Sequence, residues 1–294
     1  MKMLWLGSPE CHDPARVGGK AASLSRLAAH YPVPAGFCLP AEPVQAQPDP
    51  GAYLQDLADA YRELGRRCGQ VDLPVAVRSS AIDEDGQTTS FAGQHETYLN
   101  VCGIEAVAEA VSKCLASAHN QRALAYRQAH GLNSAARIAV LVQQLVRADV
   151  SAVVFSADPQ HGRLDRVVIN ATWGLGESLV GGTVTPDLYR VGKQQLDLLD
   201  SQVNEKTVMT IACPGGTREV PVPRTLRCEA ALNPGQIAGL AMLAIGLENS
   251  HGWPVDLECS FQGSKLYLLQ CRPITTLQPG GVEIPARIEV DSRI

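Results

Sequence analysis

The sequence predicts an α+β fold. Three observations carry that reading. Segments with apolar residues at helical spacing are separated by short apolar strands, and the strands after residue 138 follow one another closely enough for antiparallel hairpins. Hydrophobic residues make up 45% of the 294-residue chain and charged residues 19%, enough to bury a sizeable core.

In chain order, Met3 to Leu6 reads as a short strand. A Gly18-Gly19 turn then leads into a helix over 20–30, with Leu24, Leu27, Ala28 and Tyr31 on one face. Pro32, Pro34 and Gly36 end that helix and open an extended run, and four prolines between residues 40 and 50 predict a loop. Tyr53, Leu54, Leu57, Tyr61 and Leu64 fall in phase, predicting a helix over 51–68. Pro74 to Val77 is an apolar strand that runs directly into Arg78-Ser79-Ser80, followed by a polar loop over 81–94 and two helices over 103–118 and 119–130. Ile138–Val142 and Ser151–Phe155 read as paired strands, with Arg166–Ala171 a third. A glycine-rich stretch over 174–182 and Pro186 interrupt the pattern before residues 188–220 alternate like an antiparallel meander. Pro234–Asn249 is a helix, and Val255–Phe261 with Leu266–Cys271 a hairpin. Residues 1–277 form the folded unit, and 278–294, without periodicity, a tail or linker.

Composition excludes several classes. With 25 basic and 30 acidic side chains the net charge is −5, which argues against nucleic acid as a partner. The longest near-apolar stretch, 135–146, is interrupted by Arg137, Gln143 and Gln144 and is shorter than the roughly 20 residues a membrane helix needs. Gly7, Glu10 and Asp13 break the N-terminus before a signal-peptide core forms. The nine cysteines include no CxxC pair, so they are expected to be reduced thiols in a cytoplasmic protein.

Four places combine residues that suit chemistry on an anion. Gly18-Gly19-Lys20 opens a helix, where unpaired amides favour phosphate, although Ala21 rules out a Walker A loop and, taken alone, an ordinary turn with a surface lysine is the simpler reading. Arg78 follows a buried strand: it either grips phosphate oxygens or pairs with Asp83, Glu84 or Asp85. The loop from Ser90 through Gly93 to Thr97 is either a cover over polyphosphate or a plain connection. In the last hairpin Asp256 and Glu258 share a face, as do Gln270 and Arg272. A three-residue turn at Gly263-Ser264-Lys265 would pair Glu258 with Gln270 and Asp256 with Arg272, whereas a two-residue turn would put the pairs on opposite faces. Paired, the four suit either a Mg²⁺ site completed by phosphates or a cross-strand salt bridge.

The order of motifs is specific. Gly18-Gly19-Lys20-Ala21-Ala22-Ser23-Leu24, Val75-Ala76-Val77-Arg78-Ser79-Ser80-Ala81, Ser90-Phe91-Ala92-Gly93-Gln94 and Glu96-Thr97-Tyr98-Leu99-Asn100 come first. Trp173-Gly174-Leu175-Gly176-Glu177, Thr185-Pro186-Asp187 and Leu269-Gln270-Cys271-Arg272-Pro273 follow. Together they resemble the N-terminal ATP-binding domain of the phosphoenolpyruvate synthase, pyruvate phosphate dikinase and rifampicin phosphotransferase group. The resemblance implies an ATP-grasp-like fold with ATP and Mg²⁺ in a cleft between lobes. It implies that Lys20 and Arg78 bind the phosphates, that Gly93 and Thr97 belong to a closing loop, and that Gln143 lies near the adenine. Glu258 and Gln270 would hold the metal, with Asp256 and Arg272 completing the phosphate end. Lys20, Arg78 and Arg272 are the catalytic candidates.

Departures from the family pattern are Ala21 and Ala152 in place of glycines, Asn170 in place of an acidic residue, and Gln144 in place of a basic one. None of the seven histidines sits in the Gly-Gly-x-x-Ser-His-Ala context of the family's swivelling phosphohistidine domain. The leading expectation is an ATP-cleaving phosphotransferase component that passes a phosphoryl group to a histidine on a separate domain or chain. A free-standing kinase or ligase acting on a small molecule, and a nucleotide-binding module without turnover, are the alternatives.

Overall fold

The fold was analysed in a computed structural model, which describes residues 2–41, 50–82, 97–117, 137–275 and 277. The expected second helix at 119–130, the motif from Ser90 to Gln94 with Gly93, the possible Arg78 partners Asp83, Glu84 and Asp85, and the tail from 278 lie outside the described residues.

Two antiparallel sheets face each other. The first has the order β1-β2-β5-β3-β4 and is built from β1 (Leu4–Trp5), β2 (Gly36–Leu39), β3 (Val75–Ala81), β4 (Thr97–Val101) and β5 (Ile138–Gln144). The second has the order β13-β12-β6-β7-β8-β9: β6 (Val150–Phe155), β7 (Arg166–Trp173), β8 (Asp187–Gly192), β9 (Leu198–Gln202), β12 (Val255–Gln262) and β13 (Lys265–Pro273). A separate two-stranded sheet pairs β10 (Val208–Cys213) with β11 (Gly216–Pro221). The α+β expectation holds.

The pairing of the Ile138 and Ser151 strands does not. β5 pairs with β2 and β3, while β6 pairs with β7 and β12. The segment between them contains no hairpin turn; it carries the chain from one sheet to the other, and Asp149 N–H already donates to Phe261 O at 2.9 Å. The expected meander is likewise divided, with β8 and β9 in the large sheet and β10 and β11 on their own.

Alternation gives each face of the first sheet its own set of neighbours. Val75, Val77, Val140 and Val142 pack under α2 (Pro50–Cys68) and α3 (Ile104–Ala116), against Leu57, Leu64, Val107 and Val111. Ala139 and Leu141 face the other way, onto Val17, Ala21 and Leu24 of α1 (Pro14–Leu27). A third core lies under the second sheet, where Leu240, Ala244 and Leu247 of α5 (Pro234–His251) meet Val154, Ile169 and Leu257. That helix is delimited by an Asn233–Gln236 capping box and a left-handed Gly252. Between β7 and β8 lies the short α4 (Glu177–Val180). All nine cysteines are free, five of them buried.

The first helix starts earlier than the sequence suggests, at Pro14, capped by the Asp13 side chain accepting from Ala15 N–H at 2.9 Å. It breaks at Gly18, whose φ of +76° is non-helical, and continues past Lys20. Gly18 lies so close to Ser80 that a Cβ would overlap that residue's carbonyl and hydroxyl oxygens. Gly18→Ala therefore combines a steric conflict with a left-handed backbone, which alone costs about 1–3 kcal/mol. Denaturant unfolding is expected to show a loss of at least that size.

Candidate functional site

A cleft of about 420 Å³ opens between the two sheets, and its lining includes Lys20, Arg78, Thr97, Gln143, Glu258, Gln270 and Arg272. These are seven of the nine residues singled out from sequence. Of the other two, Asp256 sits behind the lining and Gly93 is outside the described residues.

Arg78 is placed by alternation. On β3, Val75 and Val77 take the core face, so Ala76 and Arg78 point into the cleft. Arg78 is 9% exposed, and its guanidinium reaches across to the second sheet. Its NH1 donates to Leu269 O at 2.8 Å, and its NH2 donates to Gln270 Oε1 at 3.1 Å and Glu258 Oε2 at 3.3 Å. Its Nε is buried and has no hydrogen-bond partner among the described residues. Among the described residues its carboxylate partner is Glu258, 180 residues away in sequence.

The hairpin that supplies those acceptors forms the expected pairs by an unexpected route. Its turn has two residues, Gly263 and Ser264, because Gln262 pairs with Lys265. Gly263 takes the positive φ, +58°, that such a turn needs. A β-bulge then shifts the register between Glu258 and Cys259, leaving Leu269 unpaired and restoring Glu258 opposite Gln270 and Asp256 opposite Arg272. The condition that a two-residue turn would separate the pairs is overturned by this extra residue. The bulged Leu269 is also the residue whose carbonyl receives Arg78.

Asp256 accepts from Nε and NH2 of Arg272, both at 2.8 Å. The salt-bridge alternative holds for this pair, and it fixes the arginine that lines the cleft. Burial raises the Asp256 carboxyl above its ordinary value, against the opposing pull of Arg272. Keeping it ionised therefore costs stability at neutral pH, a cost relieved as pH falls through the raised value.

Lys20 is 8% exposed and its Nζ lies 3.4 Å from Ser79 O. Close by, Ala21 N–H donates to Ser80 Oγ at 3.2 Å, so this amide of the resumed helix is already engaged. Thr97 begins β4 directly opposite Arg78. Gln143 lines the cleft while its Nε2 donates to Pro34 O at 3.0 Å, which ties the extended run after α1 to β5.

Sequence reasoning missed part of the lining. Ser151 and Ser260 lie side by side on the cleft floor, 2.9 Å apart, with Ser151 Oγ donating to Gly174 O at 2.8 Å. Ser260 continues the alternation of Asp256 and Glu258, so the signal was present. Leu99, Leu145, Val146, Leu175, Leu179 and Val180 form an apolar wall contributed by both lobes, which no local pattern reveals. Asn170 is not part of the lining.

The cleft lining therefore combines three cations and two oxygen-bearing side chains with apolar residues from both lobes. Such a lining, between two antiparallel sheets in an α+β fold, is that of a nucleotide-binding domain. The chain belongs to the family described as the pyruvate phosphate dikinase AMP/ATP-binding domain, whose pattern matches residues 42–289. It is 40% identical over 235 residues to a probable phosphoenolpyruvate synthase of Methanocaldococcus jannaschii, covering 79% of this chain and 20% of that protein. It is 35% identical over 303 residues to the rifampicin phosphotransferase of Streptomyces sviceus, covering 90% of this chain and 35% of that protein. It is 36% identical over 287 residues to the prodigiosin synthesizing transferase PigC of Serratia marcescens, covering 90% and 32%. The chain thus spans between a fifth and about a third of the length of these relatives.

Arg78→Lys tests the geometry around the guanidinium. One ammonium cannot serve acceptors in the spread that the planar fork spans, and an acceptor left buried and unpaired costs about 1–3 kcal/mol. Denaturant unfolding should show a loss of that order.

Proposed function

We propose that the chain is the ATP-binding component of a phosphoenolpyruvate synthase type phosphotransferase, cleaving ATP and passing a phosphoryl group to a histidine on a separate domain or chain. The observation that carries this reading is the convergence of Lys20, Arg78 and Arg272 with Glu258 and Gln270 at one end of the cleft. Phosphoryl transfer asks little covalent chemistry of a protein. It asks for positioning and for cations aimed at developing charge.

In this reading the apolar wall with Gln143 takes the adenine and the opposite end takes the phosphates. Lys20 and Arg78, both in the cleft lining, hold phosphate oxygens. Arg272, oriented by Asp256, completes the phosphate end. Thr97 and Gly93 belong to the loop that closes over it. Glu258 and Gln270 suit a magnesium ion, because their oxygens already converge on one cationic group and are of the hard type that Mg²⁺ prefers. No group of three or more His, Cys, Asp or Glu suited to a metal occurs among the described residues, which fits a metal held by one or two side chains and completed by phosphates. When bound, magnesium supplies neutralisation of the phosphate charge. The nine free cysteines fit a reducing, cytoplasmic setting, and among the described residues no helix is long and apolar enough to cross a membrane.

A second reading is a self-sufficient enzyme acting on a small molecule. The names of two relatives, rifampicin phosphotransferase and prodigiosin synthesizing transferase, favour it. ATP labelled with ³²P at both β and γ, mixed with the chain, Mg²⁺ and source-cell extract, separates the two. Acid-labile label on a polypeptide together with AMP is the expected result. Label on a metabolite establishes the second reading, and ATP bound without any transfer refutes both.

Lys20→Ala is expected to lower the rate of ATP cleavage by about 100-fold, the usual scale for removing one preorganised charge-stabilising donor. Its melting temperature should stay near that of the parent protein. Cleavage at the parent rate would remove Lys20 from the site.

A further inference from the structure

We propose that Asn100 is a positioning residue for nucleotide binding, tying the β10–β11 hairpin, and through it the cleft-lining Leu175, to the strand that carries the cleft-lining Leu99. The inference rests on the nucleotide-binding reading above. Asn100 lies on β4 of the first lobe, is 8% exposed, and has a left-handed φ of +57°. Its Nδ2 donates to Cys213 O at 2.6 Å and to Gly216 O at 2.9 Å, the two residues that flank the β10–β11 turn. That hairpin belongs to neither large sheet.

The other anchor of the hairpin is in the second lobe. Leu175 N–H donates to Thr210 O at 2.8 Å, and Gly174 approaches the same carbonyl so closely that a Cβ there would overlap it. Leu175 and the following Leu179 line the cleft from the second lobe, and Leu99 of β4 lines it from the first. The hairpin is thus a physical link between the two walls, and Asn100 is its attachment to the first. Residue type follows from geometry: a left-handed position favours Asn or Gly, and of these only Asn brings two amide hydrogens for two carbonyls. Asn100 is not itself among the cleft-lining residues; it acts through the hairpin.

Two variants test this. Asn100→Gly keeps the left-handed backbone and removes both donors, whereas Asn100→Asp keeps the shape and sets a carboxylate against two carbonyl oxygens. Calorimetric titration with ATP and with tripolyphosphate, which has no base or sugar, reads the two ends of the cleft separately. The expected result is ATP binding weakened about tenfold or more in both variants, with tripolyphosphate binding unchanged. Equal weakening for both ligands would make the role merely structural and overturn the inference. ATP binding as in the parent protein would overturn it as well. A parent protein that binds no ATP would overturn the nucleotide-binding reading and this inference together.

Discussion

The rest of the site depends on one guanidinium reaching from one lobe into the other. Arg78 leaves the first sheet and meets a backbone carbonyl, an amide oxygen and a carboxylate on the last hairpin of the second. A buried arginine without such partners would be costly, and the hairpin oxygens would be left facing one another without a counter-charge. The contact therefore serves two ends at once. It ties the two lobes together, and it holds Glu258 and Gln270 around one cationic point.

How the hairpin comes to offer those oxygens is a matter of counting. Glu258 and Gln270 pair across the strands with an odd number of residues between them, so one of those residues has to stand outside the ladder. The sequence fits this requirement equally well in a three-residue turn or in a strand, and local patterning does not choose between them. The structure chooses the strand, at Leu269. Only that choice releases a carbonyl from the ladder where Arg78 can use it.

Much of the fold was legible for the same reason that some of it was not. Helical spacing and apolar alternation are local, so α2, β3, α5 and the last two strands lie close to where the residues predict them. Partner choice is not local: Ile138–Gln144 and Val150–Phe155 look like neighbours in sequence and end in different sheets. The site divides in the same way. Taken alone, Lys20, Arg78 and the hairpin pairs each had an ordinary structural explanation, and the order of motifs singled them out together. Asp256 shows the ordinary explanation and the functional one coexisting, since its salt bridge is what aims Arg272. The apolar wall was invisible because its members come from four separate segments, and only folding makes them one surface.

The consequence of α1 is mechanical. Leu24 lies in the core under the first sheet and Leu27 in the core under the second, while Ser23 donates to Cys271 O at 3.0 Å. A helix owned by both lobes acts as a shared axle. Swinging the lobes apart about any other line would extract one of these leucines from a close-packed interior. Breathing of the cleft is thereby confined to small sliding movements about α1, and Lys20, mounted on that axle, keeps its station while the walls shift around it.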